Sequence, residues 1–221
     1  MTDILIAVAF VLGSYLLGSI PFGFIIGKCH GIDVRQLGSK NIGATNVTRC
    51  VGKFSGKLCF LLDFIKGALP VLAAQWYLTS PPEYKVYWVI AVLFAAVLGH
   101  MFPVFLKFRG GKGVSTAAGA VLALVPYALL IALLVWVVVF LVSRYVSLAS
   151  IAAAAVLPIV AWVMYLLDIG SELARSKEVL IFITIVSLVT IIRHNGNIQR
   201  LLNGTENRFG KKEPVDNSKK N

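Results

Sequence analysis

The sequence predicts an all-α, polytopic integral membrane bundle, and three observations carry that prediction. Hydrophobic residues make up 58% of the chain and charged residues only 14%, with a mean hydropathy of +0.83, too apolar for a soluble domain of ordinary composition. The apolar residues fall into six runs, 4–26, 58–78, 86–106, 114–142, 145–167 and 179–192, most of them near the roughly 20 residues that a spanning helix needs. The charge is concentrated between them. A chain of 221 residues divided in this way holds one transmembrane domain, residues 1–206, and a basic tail, 207–221, whose polar composition predicts disorder.

The first run, 4–26, has no basic leader and no small-residue cleavage site, so it reads as the first span and not as a signal peptide. Sixteen of the 21 Lys and Arg residues lie in three intervals, 27–57, 107–113 and 193–221. Such an excess marks cytoplasmic segments, which puts all three on the inner face and the N-terminus outside. Two runs separate the first interval from the second, as this requires, but three separate the second from the third. Parity therefore demands five or seven spans. The run 114–142 is interrupted at Pro126, and dividing it there gives seven, the expected number, with five as the alternative. Each half would be only about 20 Å long, short against a ~30 Å hydrocarbon core.

Inside the second run, Asp63 and Lys66 stand three apart on one helical face and are expected to pair. Cys29, Cys50 and Cys59 are odd in number, lie beside basic segments and match no zinc spacing, so they read as reduced thiols, with neither metal nor cofactor expected. The net charge of +11, placed on the inner face, suits anionic lipid and anionic substrate rather than nucleic acid.

The three intervals carry the chemistry. The first contains Gly38-Ser39-Lys40-Asn41-Ile42-Gly43-Ala44-Thr45-Asn46-Val47-Thr48-Arg49, where glycines permit close backbone approach and the hydroxyls, amides and guanidinium supply donors for a phosphate. Gly38 and Gly43 have the spacing of a nucleotide-binding P-loop, but Ala44 replaces its lysine and no strand precedes it, which disfavours a nucleotide. The second, Gly99-His100-Met101-Phe102-Pro103 followed by Phe108-Arg109-Gly110-Gly111-Lys112-Gly113, sets free amides, a helix N-terminus and an ammonium together, a ready anion site. In the third, His194, Asn197 and Arg200 share a face if helical, followed by Glu206.

In these three segments the chain resembles the acyl-phosphate-dependent glycerol-3-phosphate acyltransferases of bacteria, whose signatures are matched in order by Gly38–Arg49, Gly99–Val114 and His194–Glu206 over nearly the whole length. The resemblance implies a seven-span inner-membrane enzyme with a cytoplasmic active site and C-terminus. It would transfer a fatty acyl group from acyl phosphate to glycerol 3-phosphate, giving lysophosphatidic acid and phosphate, the first step of phospholipid synthesis. A soluble enzyme that produces acyl phosphate is then an expected partner. On this reading Arg49, Lys112, His194 and Asn197 bind the phosphate of glycerol 3-phosphate, while Ser39, Thr45 and the Gly110-Gly111 backbone cradle the acyl phosphate. Asn41, Asn46, His100, Ser147, Ser150, Arg200 and Glu206 are further substrate-binding candidates.

Acyl phosphate is an already activated mixed anhydride, so the protein need only neutralise phosphates and bring the hydroxyl to the carbonyl. Neither His100 nor His194 opens a His-x₄-Asp pattern, and the proton falls to His194 or to a substrate phosphate. The competing class is a carrier of phosphorylated small molecules, which would need polar groups at mid-bilayer with access from both faces.

Overall fold

The computed structural model describes residues 2–79 and 81–210. Ten helices and one 3₁₀ turn, with no strand among the described residues, follow in the order α1 Thr2–Ser19, α2 Phe22–Cys29, α3 Ala44–Cys50, α4 Lys53–Tyr77, α5 Pro82–Met101, the 3₁₀ turn Val104–Leu106, α6 Val114–Leu122, α7 Pro126–Ser143, α8 Val146–Leu166, α9 Lys177–Ile192 and α10 Asn195–Leu202. Five stretches are long and apolar enough to cross a membrane: Asp3–Cys29, Lys53–Tyr77, Tyr84–Leu106, Pro126–Ser143 and Val146–Leu166. A sixth is reached when α9 and α10, which meet at a 52° bend, count as one. Large apolar side chains such as Leu12, Leu72, Leu134 and Val142 point outward, as lipid-facing surfaces require and soluble surfaces of this extent do not. The chain is a multi-pass membrane protein.

Close packing between helices depends on glycine. A Cβ on Gly18 would lie 2.3 Å from the Ala96 carbonyl oxygen and one on Gly99 2.3 Å from that of Tyr15, so α1 and α5 touch backbone to backbone. Gly67 and Gly119 bring α4 and α6 together in the same way, each 2.0 Å from a carbonyl oxygen of the other helix. Lipid gives no hydrophobic drive for helices to associate, and small residues at the contact let dispersion do so instead.

Two breaks shape the bundle. Pro21 has no N–H and disfavours helix at Ile20, dividing α1 from α2. The Ile20 carbonyl then accepts a hydrogen bond from the Lys66 ammonium at 2.8 Å. Pro126 divides the fourth apolar run where expected, but into unequal parts of nine and 18 residues. In α6 Ser115, Thr116, Ala117, Gly119, Ala120 and Val121 are buried, whereas in α7 only Ala128 and Ala132 are. The short helix lies inside protein and the long one faces out.

Of the predicted tail, residues 207–210 are described. The Phe209 N–H donates to the Arg144 carbonyl at 2.8 Å and the Phe209 ring meets Phe140 edge-on at 5.4 Å, so Phe209 packs on the α7–α8 turn. The rest of the predicted tail, 211–221, lies outside the described residues.

Candidate active site

All three polar intervals meet at one end of the bundle. Lys112, in the turn before α6, donates from its ammonium to the Asn197 side-chain oxygen. The Asn197 amide donates to Glu206 Oε1 at 2.7 Å, an oxygen that also accepts the Ser147 hydroxyl at 2.9 Å, while Glu206 Oε2 accepts from Arg200 Nε at 2.8 Å. Asn197 and Arg200 share a face of α10, and the chain turns back after Gly204 (φ +68°) to bring Glu206 to both. Arg49, on α3, donates to the Asn207 carbonyl at 3.4 Å, and Arg193 to that of Gly111 at 3.0 Å.

The electrostatics follow from burial among cations. Burial lowers the Lys112 ammonium to about 8, Arg200, Arg49 and Arg193 push the same way, and Glu206 opposes them. Burial of Glu206 disfavours its charge, yet the hydrogen bonds from Asn197, Ser147 and Arg200 outweigh it and hold the carboxyl below its ordinary range. His194 is lowered to about 4 by burial and by the Lys112 charge, so it is neutral at neutral pH. Its Nδ1 lies 2.8 Å from the Thr190 carbonyl oxygen, a contact that requires the proton on Nδ1 and leaves Nε2 as an acceptor.

Other sequence candidates take different places. Asn46 is 1% exposed, and its amide donates to the carbonyls of Val34, Leu37 and Asn41 while its oxygen accepts the Ser39 N–H. Its polar atoms hold the first interval in shape and are not turned to a substrate. Asn41 likewise accepts the Gly43 N–H at 2.8 Å. Ser150, one turn beyond Ser147, donates to Val146 and accepts from Trp136. His100 is buried beneath the glycine turn with its Nδ1 3.5 Å from Asp63, and Asp63 also pairs with Lys66 at 2.7 Å.

One expectation needs correcting: the Gly111 N–H donates to the His100 carbonyl at 3.1 Å and so is not offered to an anion. Gly110 does face open space, lining a cavity of about 570 Å³ with Lys40, Arg109 and Arg193. Ser39 is exposed and Thr45 half-buried in the first turn of α3. Sequence reasoning did not single out Arg193 or the carbonyls of Thr190 and Asn207. Backbone acceptors leave no mark in a sequence, and Arg193 read only as one more inner-face cation.

Residues 8–204 match the family model described as glycerol-3-phosphate acyltransferase. The chain belongs to the glycerol-3-phosphate acyltransferase family. A glycerol-3-phosphate acyltransferase of Myxococcus xanthus is 48% identical over 202 residues, covering 91% of this chain and 98% of the relative. That of Trichlorobacter lovleyi is 47% identical, with 90% and 95% covered. Among solved structures, PlsY, an integral membrane glycerol 3-phosphate acyltransferase, superposes in its glycerol 3-phosphate form with a TM-score of 0.80 at 43% identity, covering 92% of this chain and 96% of that one. Its lysophosphatidic acid form gives 0.78. This chain is thus a membrane-integral acyltransferase, and the end of the bundle where the three intervals meet is its candidate glycerol-3-phosphate acyltransferase site.

Proposed function

We propose that this acyltransferase takes its acyl group from acyl phosphate and gives it to glycerol 3-phosphate, at a cytoplasmic site in the bacterial inner membrane. The observation that carries the reading is the joining of Lys112, Asn197, Glu206, Ser147 and Arg200 in one network, beside Arg49 and a neutral His194. Cations fixed by hydrogen-bonded neighbours neutralise phosphate at little reorganisation cost.

Lys112, Arg49 and Asn197, steadied by Arg200 and Glu206, hold the phosphate of glycerol 3-phosphate. His194 is moved from that group: a neutral imidazole with only an acceptor to offer suits a substrate hydroxyl and not a phosphate oxygen. Ser39, Thr45 and Gly110 line the acyl-phosphate side, where Lys40 and Gly110 share a cavity. The glycerol hydroxyl attacks the acyl carbonyl, the new C–O ester bond forms, and the bond to the phosphate oxygen breaks. His194 at about 4 is a weaker base than a phosphate monoester, whose second pKa is about 6. The hydroxyl proton therefore ends on phosphate, and His194 orients the hydroxyl. A carrier is disfavoured because the buried charges of the second span, Asp63 and Lys66, pair with each other.

The topology proposed with this site has seven crossings and an outside N-terminus. α6 starts beside Lys112, and the turn that follows it, at Val125 and Pro126, borders a cavity of about 520 Å³ with Ala161, Ile169 and Ala174 near the far end of α8. A basic inner face also suits docking of a soluble enzyme that makes acyl phosphate. The test is lysophosphatidic acid formation by purified protein. Lys112→Ala and Arg49→Ala are each expected to lower kcat/KM at least about a hundredfold, by loss of a charged contact of ~3 kcal/mol. Wild-type rates in either variant would refute the assignment.

A further inference from the structure

We infer that His100, held by the buried Asp63–Lys66 pair, is a positioning residue that sets the height of the Gly110-Gly111-Lys112 turn and thereby the place of the Lys112 ammonium. The inference rests on the reading of Lys112 as a phosphate ligand. A Cβ on Gly111 would sit 2.1 Å from His100 Nε2 and 2.9 Å from Cε1, and one on Gly110 2.2 Å from the His100 carbonyl oxygen. The turn thus lies directly on the imidazole and on the backbone that carries it. The Gly111 N–H donates to the same carbonyl at 3.1 Å, and Arg193 closes over the turn onto the Gly111 carbonyl.

The ring is fixed from below. His100 Nδ1 faces Asp63 Oδ1 at 3.5 Å, Lys66 holds that carboxylate at 2.7 Å, and the Lys66 ammonium is tied to the Ile20 carbonyl exposed by the Pro21 break. Asp63, Lys66 and His100 are 1%, 2% and 4% exposed. An ion pair and an imidazole packed together so far from water have few alternative arrangements. α1, α4 and α5 are joined through it to the one turn whose next residue reaches Asn197. Gly111 has no side chain because the space belongs to His100.

The test is a double-mutant cycle on detergent-purified protein. Gly111→Ala drives a methyl into the imidazole and is expected to raise KM for glycerol 3-phosphate about a hundredfold, with a smaller change in kcat. His100→Asn keeps a donor where Nδ1 stood, facing Asp63, and vacates the space of Nε2. Alone it is expected to raise KM about fivefold, and combined with Gly111→Ala to recover activity at least about tenfold over Gly111→Ala. Thermal unfolding of the same proteins reports whether folding is kept. Two singles whose losses multiply in the double variant, or a His100→Ala enzyme with wild-type KM, would overturn the inference while leaving the proposed reaction standing. A wild-type protein with no acyl-phosphate turnover would overturn the reaction instead, and the cycle can then still be read from binding of glycerol 3-phosphate.

Discussion

Replacing Glu206 with glutamine tests how the site is held together. The carboxylate accepts from Asn197 and Ser147 on one oxygen and from Arg200 on the other. Glutamine keeps a single acceptor. If its oxygen serves Asn197 and Ser147, its NH₂ confronts the Arg200 N–H and one charge-assisted hydrogen bond is lost. Such bonds contribute about 1.5–3 kcal/mol, and because the Arg200 side chain is 41% exposed the lower end applies, about 1.5 kcal/mol or roughly tenfold in kcat/KM. A second effect has its own signature. Glu206 raises the Lys112 pKa against three guanidinium neighbours, so its neutralisation lowers that pKa further below about 8. Lys112 must be protonated to hold phosphate, so activity falls as pH rises through its pKa. The alkaline limb of kcat/KM, which reports the free enzyme, therefore moves to lower pH in Glu206→Gln. The assay is phosphate release from a long-chain acyl phosphate at saturating donor and varied glycerol 3-phosphate, from pH 6 to about 10 to cover both sides of an ammonium pKa in this range. A variant with wild-type kcat/KM and an unmoved alkaline limb would refute the network as described.

Three further outcomes are expected. Lys112→Arg retains charge to high pH, so whatever activity it keeps should lose the alkaline limb near 8; a limb that stays put assigns it to another group. With His194 already neutral above about 4, kcat/KM should show no acid limb at the ordinary histidine value of about 6.5 beyond that of the substrate phosphate, a point checked by titrating substrate and enzyme separately. Asn46→Ala leaves three carbonyls and one N–H of the first interval without their partner and should cost about 2–4 kcal/mol, seen as faster proteolysis within residues 34–46 and a lowered melting temperature in detergent.

Much of this was legible in the sequence because a membrane imposes strong rules. Charge concentrated in three intervals marked the segments that meet at one end of the bundle, and parity left five or seven spans, the seven-span alternative dividing the fourth run at Pro126, where α6 gives way to α7. Hydropathy merged α6 with α7 into one apolar run, because it does not tell a short helix whose Thr116, Gly119 and Ala120 are buried inside the bundle from a lipid-facing one. The pairing of Asp63 with Lys66 follows from helical spacing, whereas the contact of Asp63 with His100, on another helix, depends on packing that no local pattern encodes. Glycines at 110 and 111 looked alike as phosphate-binding backbone, yet one N–H is committed to His100 and only the other residue borders the cavity. Asn46 sits within a string of candidate phosphate donors but spends all its polar atoms on the loop itself.

The measurement that bears most directly on the central claim is donor choice by the purified wild-type protein, with glycerol 3-phosphate as acceptor and acyl phosphate, acyl-CoA or acyl carrier protein thioester as donor. A site built to neutralise two phosphates, in a chain whose histidines open no His-x₄-Asp pattern, should release phosphate and lysophosphatidic acid in equal amounts from acyl phosphate and leave both thioesters untouched. Turnover of either thioester with none of acyl phosphate would contradict it.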